Sequence, residues 1–203
     1  MGIKVIIFDL GKIFLDYSFD TIFQSWAKTT GIPATHLKEQ YRIDTEFFLY
    51  ETGKITIEQY YHHLCDLLTM DISYYEFVEG WNSMLIGLYP GSTELLDKIP
   101  QRISKVLLSN TNEAHTILLR KRYKSFFDRF ASVFFSNEIG LRKPNAESFQ
   151  FVLDRYAVDP AEVLYFDDMD ENIESAKRMK INGILVTHFD CIAEGLKEYK
   201  IIA

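Results

Sequence analysis

Cysteine is scarce. The chain of 203 residues has two, Cys65 and Cys191, far apart and in no metal-like spacing. They supply neither a disulfide framework nor a zinc motif, so both are expected to be reduced and largely buried. Dense runs of lysine and arginine are also missing, and the net charge is −7. This argues against nucleic-acid binding, which rests on neutralising phosphates. An anionic ligand would need positive charge placed locally, from a metal ion or a few lysines and arginines. No apolar run approaches the length of a membrane span. The opening "MGIKVIIFDL" is interrupted by Asp9 and no small-residue cleavage site follows. It reads as a core strand and not as a signal peptide. The expectation is a soluble cytoplasmic protein with no nucleic-acid or membrane partner. No internal repeat and no low-complexity segment is visible.

What is present is apolar material for a packed core, 47% of the residues. Four β-branched runs stand out: "KVIIFDL" (4–10), "KVLLSN" (105–110), "EVLYFDD" (162–168) and "GILVTHF" (183–189); "SVFFSNEIG" (132–140) is a fifth candidate. Near-continuous apolarity marks strands covered on both faces, as in parallel sheets. Between them, "ESFQFVLDRY" places Phe149, Val152, Leu153 and Tyr156 on one helical stripe. The alternation predicts an open, Rossmann-like α/β sheet with helices on both faces.

Residues 17–90 read instead as helices with almost no strand signal. Phe19, Ile22, Phe23 and Trp26 form a stripe that Gly31 can end, and "TIEQ" (56–59) and "SYYE" (73–76) each fit a capping box. A helical block of ~70 residues is therefore expected after the first strand, too long for a structureless loop. The expected division is a core of 1–16 and 91–203 with the block at 17–90.

Chemistry-bearing residues end the strands. Asp9 ends the first, Ser109 the second, Lys143 follows the fifth candidate, and Asp167–Asp168 end another. In open α/β sheets ligands bind at that edge. A carboxylate nucleophile, a hydroxyl, a lysine and an acidic pair suit phosphoryl transfer: the carboxylate attacks phosphorus, the acids hold Mg²⁺, and lysine and hydroxyl neutralise the phosphoryl oxygens.

In this order, "IIFDLG", "LLSN", "RKPN" and "LYFDDMDEN" resemble the four motifs of the haloacid dehalogenase superfamily over nearly the whole chain. The block at 17–90 matches the place and type of the helical cap of its first subfamily. "YETGKITIEQYYHHL" and "WNSMLIGLYP" look like cap segments of its sugar-phosphate phosphatases. The "DLG" branch, typified by α-glucose-1-phosphate phosphatase-like proteins, is the nearest resemblance. The resemblance implies Asp9 as nucleophile and metal ligand. It implies the Gly11 carbonyl and Asp168 as further Mg²⁺ ligands, with Asp167 beside them. Ser109, the Asn110 backbone and Lys143 would hold the phosphoryl group, and Asn172 would orient Asp168. The substrate implied is a small phosphorylated metabolite, a sugar 1-phosphate among the candidates.

Each residue has a plainer reading. Asp167–Asp168 suit a helix N-terminus, but adjacent acids ending an apolar strand repel without a cation. Ser109–Asn110 alone would be a strand-to-helix cap. His62 and His63, adjacent on a helix, point different ways, so one is expected at the surface and one half-buried. Trp81 and Tyr41 are expected to pack. Asp16 and Asp20 can start a helix. Lys12 either adds positive potential at the phosphate or faces solvent.

The main departure from the motif is Gly11, where a second aspartate is usual. A dehalogenase needs no such aspartate, because a halide leaves without a proton, yet it needs no acidic pair either. A non-catalytic phospho-ligand or protein binder is the remaining alternative. Without that acid, easily departing groups should be favoured, anomeric phosphates over primary-alcohol phosphates, unless Asp16 or a cap histidine substitutes.

Overall fold

The computed structural model describes residues 2–203. Five parallel strands form the sheet in the order β5-β4-β1-β6-β7. Central β1 (Val5–Phe8) pairs with β4 (Ser104–Ser109) and β6 (Val163–Asp167); β5 (Ser132–Phe135) and β7 (Asn182–Leu185) are the edges. All four β1 side chains are buried, as the continuous apolar run required. Successive side chains point to opposite faces. Ile6 and Phe8 therefore enter one apolar layer, with Leu107 and Phe166, while Val5 and Ile7 enter the other, with Val106 and Tyr165.

Helices cover both layers: α6 (Ser92–Asp97), α7 (Glu113–Arg122), α8 (Lys124–Phe127), α9 (Ser136–Ile139), α10 (Ala146–Tyr156), α11 (Asp170–Arg178) and α12 (Asp190–Glu198). The α10 stripe buries Phe149, Val152 and Leu153, with Tyr156 partly covered. The fifth strand is shorter than 132–140. After Phe135 the chain turns into α9, which Gly140 ends in the left-handed region (φ 71°).

Five helices fill the insertion: α1 (Phe19–Thr30), α2 (Ala34–Gln40), α3 (Thr45–Glu51), α4 (Ile57–Leu68) and α5 (Tyr74–Asn82). Thr56 with Gln59 and Ser73 with Glu76 form the two capping boxes, and Gly31 (φ 75°) ends α1. This block has its own core around Trp26, Tyr50, Tyr60, Phe77 and Trp81, each at most 1% exposed. Trp26 and Trp81 stack with centroids 6.2 Å apart. The histidines divide as expected: His62 is exposed, and half-buried His63 lies 2.8 Å from Asp44. Both cysteines are free and partly buried.

Two strands inside or across the expected helical range were not legible. An antiparallel pair, β2 (Leu15–Tyr17) and β3 (Leu85–Leu88), joins the block to the sheet, so the 16/17 boundary falls within β2. Strands of three and four residues carry too little pattern to detect. The pair's register shifts between Asp16 and Tyr17. Asp16 starts no helix; it lies in β2, and Ser18 caps α1, with Asp20 in the first turn. The Lys12 Nζ bonds Asp16 at 2.6 Å and the Tyr17 carbonyl at 2.7 Å, and its charge is felt at Asp168, so it adds positive potential there.

Candidate active site

Parallel strands deliver their carboxyl ends to one edge of the sheet, and Asp9, Ser109, Lys143, Asp167 and Asp168 all lie there. Lys143 Nζ donates to Asp9 Oδ1 at 2.7 Å and to Asp167 Oδ2 at 2.6 Å. The lysine is 2% exposed and Asp167 is fully buried. A buried ammonium persists only when paired, and two carboxylates face this one. Their charges hold the Lys143 ammonium above its usual range despite burial.

The three acids differ in what engages them. Asp167 accepts from Lys143, the Tyr165 hydroxyl, the Met169 N–H (2.8 Å) and Asn172 Nδ2 (2.9 Å). Burial alone would raise it, but the Lys143 charge and these donors hold its carboxyl below the usual range. Asn172 thus orients Asp167, not Asp168 as the motif implied. Asp168 is half-buried and its carboxylate has no side-chain partner among the described residues. Burial and the Asp167 charge push it up. Asp9 is pushed up to about 7, by burial first and then by Asp167 and Asp168, against the pull of Lys143.

Carboxylate oxygens of Asp9, Asp167 and Asp168 lie within 4.8 Å of one another. Buried Asn172, which donates to Asp167, also has an Oδ1 with no hydrogen-bond partner among the described residues. Hard oxygen donors lacking protons to accept fit Mg²⁺, which takes one or two carboxylates and keeps several waters.

Ser109 ends β4 and lines the cavity above Asp9. The Asn110 side chain is engaged elsewhere, leaving its N–H to the site: Nδ2 donates to the Lys143 carbonyl and Oδ1 accepts the Lys143 N–H, both at 2.9 Å. The cap of the following helix is Asn112, whose side chain accepts the His115 N–H, so the plain capping role expected for Ser109–Asn110 falls further along.

The cavity, about 590 Å³, lies between this edge and the helical block. Glu51 of α3 reaches into it and pairs with Arg142 at 3.1 Å. Burial pushes the Glu51 carboxyl up to about 7 against that guanidinium. Trp81 also lines the cavity, donating to Asn112 Oδ1 at 3.2 Å. His115 lines it as a neutral ring: burial lowers it to about 4, and its nitrogens meet Asn112 and the Trp81 carbonyl. Three of the exposed large apolar side chains, Ile43, Phe48 and Met169, all line this cavity. Glu51, Arg142, Asn112 and His115 carry no motif; only the capping preference of Asn112 was open to sequence reasoning.

The parallel sheet, the strand-end acids and the buried lysine define a haloacid dehalogenase-like hydrolase, and the family model of that description matches residues 3–180. The chain belongs to this family. Over 182 residues it is 25% identical to a D-ribitol-5-phosphate phosphatase of Bacteroides thetaiotaomicron, covering 87% of this chain and 88% of that protein. It is 26% identical to a sesquiterpene phosphatase of Aspergillus oryzae, covering 91% and 90%. The crystal structure of a Bacteroides thetaiotaomicron family enzyme with magnesium and inorganic phosphate superposes with a TM-score of 0.80, at 26% identity, over 91% of this chain and 94% of that one. The chain is a hydrolase, a phosphatase of this superfamily. No helix among the described residues is long and apolar enough to cross a membrane.

Proposed function

We propose that the protein is a Mg²⁺-dependent phosphomonoesterase that hydrolyses a small phosphorylated metabolite through a phosphoryl group carried on Asp9. The observation that carries this reading is the division of labour among the acids. Asp167 is saturated by donors and fixes Lys143, whereas Asp9 and Asp168 keep oxygens free. Mg²⁺ would be held by Asp9, Asp168 and the Gly11 carbonyl, with Asp167 and Asn172 behind them. When bound, it supplies positive charge for the non-bridging phosphoryl oxygens.

Asp9 attacks phosphorus, and the ester oxygen departs toward the helical block. Lys143 neutralises a phosphoryl oxygen, and the Ser109 hydroxyl and Asn110 N–H donate to others. Water then cleaves the acyl phosphate. A preformed, buried lysine costs no reorganisation when charge develops.

The helical block is the cap, and residues 17–90 are the part that selects the leaving group. Glu51 and Arg142 offer a carboxylate and a guanidinium to hydroxyls of a carbohydrate or polyol. The names of the relatives, one for a phosphorylated polyol, support this class. Within it, a sugar 1-phosphate suits a site whose Gly11 has no carboxyl to protonate the leaving oxygen. The acidic cluster argues against the dehalogenase alternative, which has no use for a metal.

The test is turnover of 4-nitrophenyl phosphate with Mg²⁺ by the unmodified protein and by Asp9→Asn. Asp9→Asn is expected to fold, by circular dichroism, and to lose turnover. Appreciable steady-state activity in a pure Asp9→Asn sample would rule the reading out.

A further inference from the structure

Gly11 is a glycine for reasons of space and not of backbone. Its φ lies outside the left-handed region where the other turn glycines sit. A Cβ built on it would come 2.7 Å from Cε1 of Tyr17 and 3.3 Å from its Cδ1. Ordinary carbon contacts are ~3.5–4.0 Å. The Tyr17 ring thus stands where a side chain at position 11 would begin. The same Cβ would be 3.8 Å from Asp9 Oδ2, so the space the ring takes up at position 11 is the space beside the nucleophile's free oxygen.

The ring is aimed there by its surroundings. The irregularity in the β2–β3 pairing falls between Asp16 and Tyr17, and bulges of this kind re-aim side chains beside active sites. The Lys12 ammonium lies 4.7 Å from the ring centroid while bonding the Tyr17 carbonyl. Phe19 packs edge-on at 6.4 Å. Tyr17 lines the cavity, and its hydroxyl has no hydrogen-bond partner among the described residues.

We propose that Tyr17 takes the place of the absent second aspartate, its hydroxyl donating a hydrogen bond to the departing ester oxygen. The inference rests on the phosphatase reading above. A phenol is a donor at neutral pH. Tyr17 keeps that proton. As the Asp9–phosphorus bond forms, the phosphorus–ester oxygen bond breaks and its electron pair stays on the ester oxygen. Tyr17 stabilises that charge until water supplies the proton. A second step forms the bond from water oxygen to phosphorus and breaks the bond to Asp9. Overall, one water is consumed, its proton going to the alcohol and its hydroxide to phosphorus.

Asp16, His62 and His63 do not line the cavity. Asp16 is paired with Lys12 and His63 with Asp44. Glu51 competes, since it lines the same cavity, as do Glu171 and the neutral His115.

The experiment measures kcat and KM on a series of aryl and alkyl phosphates of rising leaving-group pKa, with Mg²⁺, for the unmodified protein, Tyr17→Phe and Glu51→Gln. Phenylalanine keeps the ring and removes only the donor. Tyr17→Phe is expected to lose about 10- to 100-fold in kcat on alkyl phosphates and markedly less on 4-nitrophenyl phosphate, steepening the dependence on leaving-group pKa. Glu51→Gln is expected to leave that slope as it was. A Tyr17→Phe loss that is uniform across the series, no loss at all, or a steeper slope confined to Glu51→Gln overturns the proposal while the phosphatase reading stands. Absence of Mg²⁺-dependent turnover in the unmodified protein overturns both.

Melting temperature supplies a readout independent of activity. Gly11→Asp is expected to lower it, and adding Tyr17→Ala to recover most of the loss. A Gly11→Asp protein as stable as the original would show that Tyr17 does not fill this space.

Discussion

The side-chain amide of Asn110 and the main chain of Lys143 exchange two hydrogen bonds, each 2.9 Å long. The end of β4 is thereby locked to the loop that presents the buried lysine. Leu, with no donor or acceptor, would leave that main chain unpaired. Asn110→Leu is expected to lower kcat by about 10- to 100-fold and to cost about 1–3 kcal/mol of stability. Steady-state kinetics and urea unfolding check both; unchanged kcat would show that Lys143 needs no such support.

Asp168→Ala removes the carboxylate that lacks other partners. It should weaken Mg²⁺ binding, read by titration calorimetry, and raise the Mg²⁺ concentration needed for half-maximal turnover. EDTA should inhibit the original protein reversibly. Asp167→Ala should differ in kind, because it strips Lys143 of one counter-charge and leaves a buried charge under-paired. It is expected to cost about 3–5 kcal/mol of folding stability, whereas Asp168→Ala should cost far less.

Glu51 predicts a pH signature. Its carboxyl is raised from 4.5 to about 7 in the folded chain. Where a folded-state pKa is raised, the native state binds the extra proton, so the contribution to stability is full below about pH 4.5 and is lost as pH rises through about 7. Across that window the loss is on the order of 1–3 kcal/mol. Glu51→Gln should remove this component, giving a shallower decline between pH 5 and 8 in urea midpoints measured without Mg²⁺. An identical pH slope in both proteins would refute the assignment.

The apolar side chains Ile43 and Phe48 come from the helical block and line the cavity. Ile43→Ala and Phe48→Ala should alter kcat/KM ratios among phosphorylated sugars and polyols by about 3- to 10-fold or more, with smaller effects on 4-nitrophenyl phosphate. Equal effects on every substrate would mean that the block is not the selector.

Much of this was legible in the chain because the sheet is covered on both faces. Continuous apolar runs such as "VIIF" and "VLYFD" announce such strands directly, and the acids at their ends inherit the position. The order of Asp9, Lys143 and Asp167 along the chain is therefore enough to group them. What stayed hidden depends on how distant segments meet. Glu51 and Arg142 pair across 91 residues with no local pattern on either side. Asn172 lies near both acids, and only the fold decides that it serves Asp167. The β2–β3 pair and the direction of Tyr17 rest on strands too short to show a period.

The chain passes between sheet and helical block twice, through β2 and β3, and those two passages are hydrogen-bonded to one another. Two independent tethers would let the block slide, tilt and twist. Two joined as a ribbon behave as one leaf of a door: turning either turns both, which leaves a single dominant axis. Tyr17 sits on that leaf. Any swing that opens the cavity would carry the phenol along with it, and any swing that shuts the cavity would return the phenol to its wall, so that access and alignment become one coordinate.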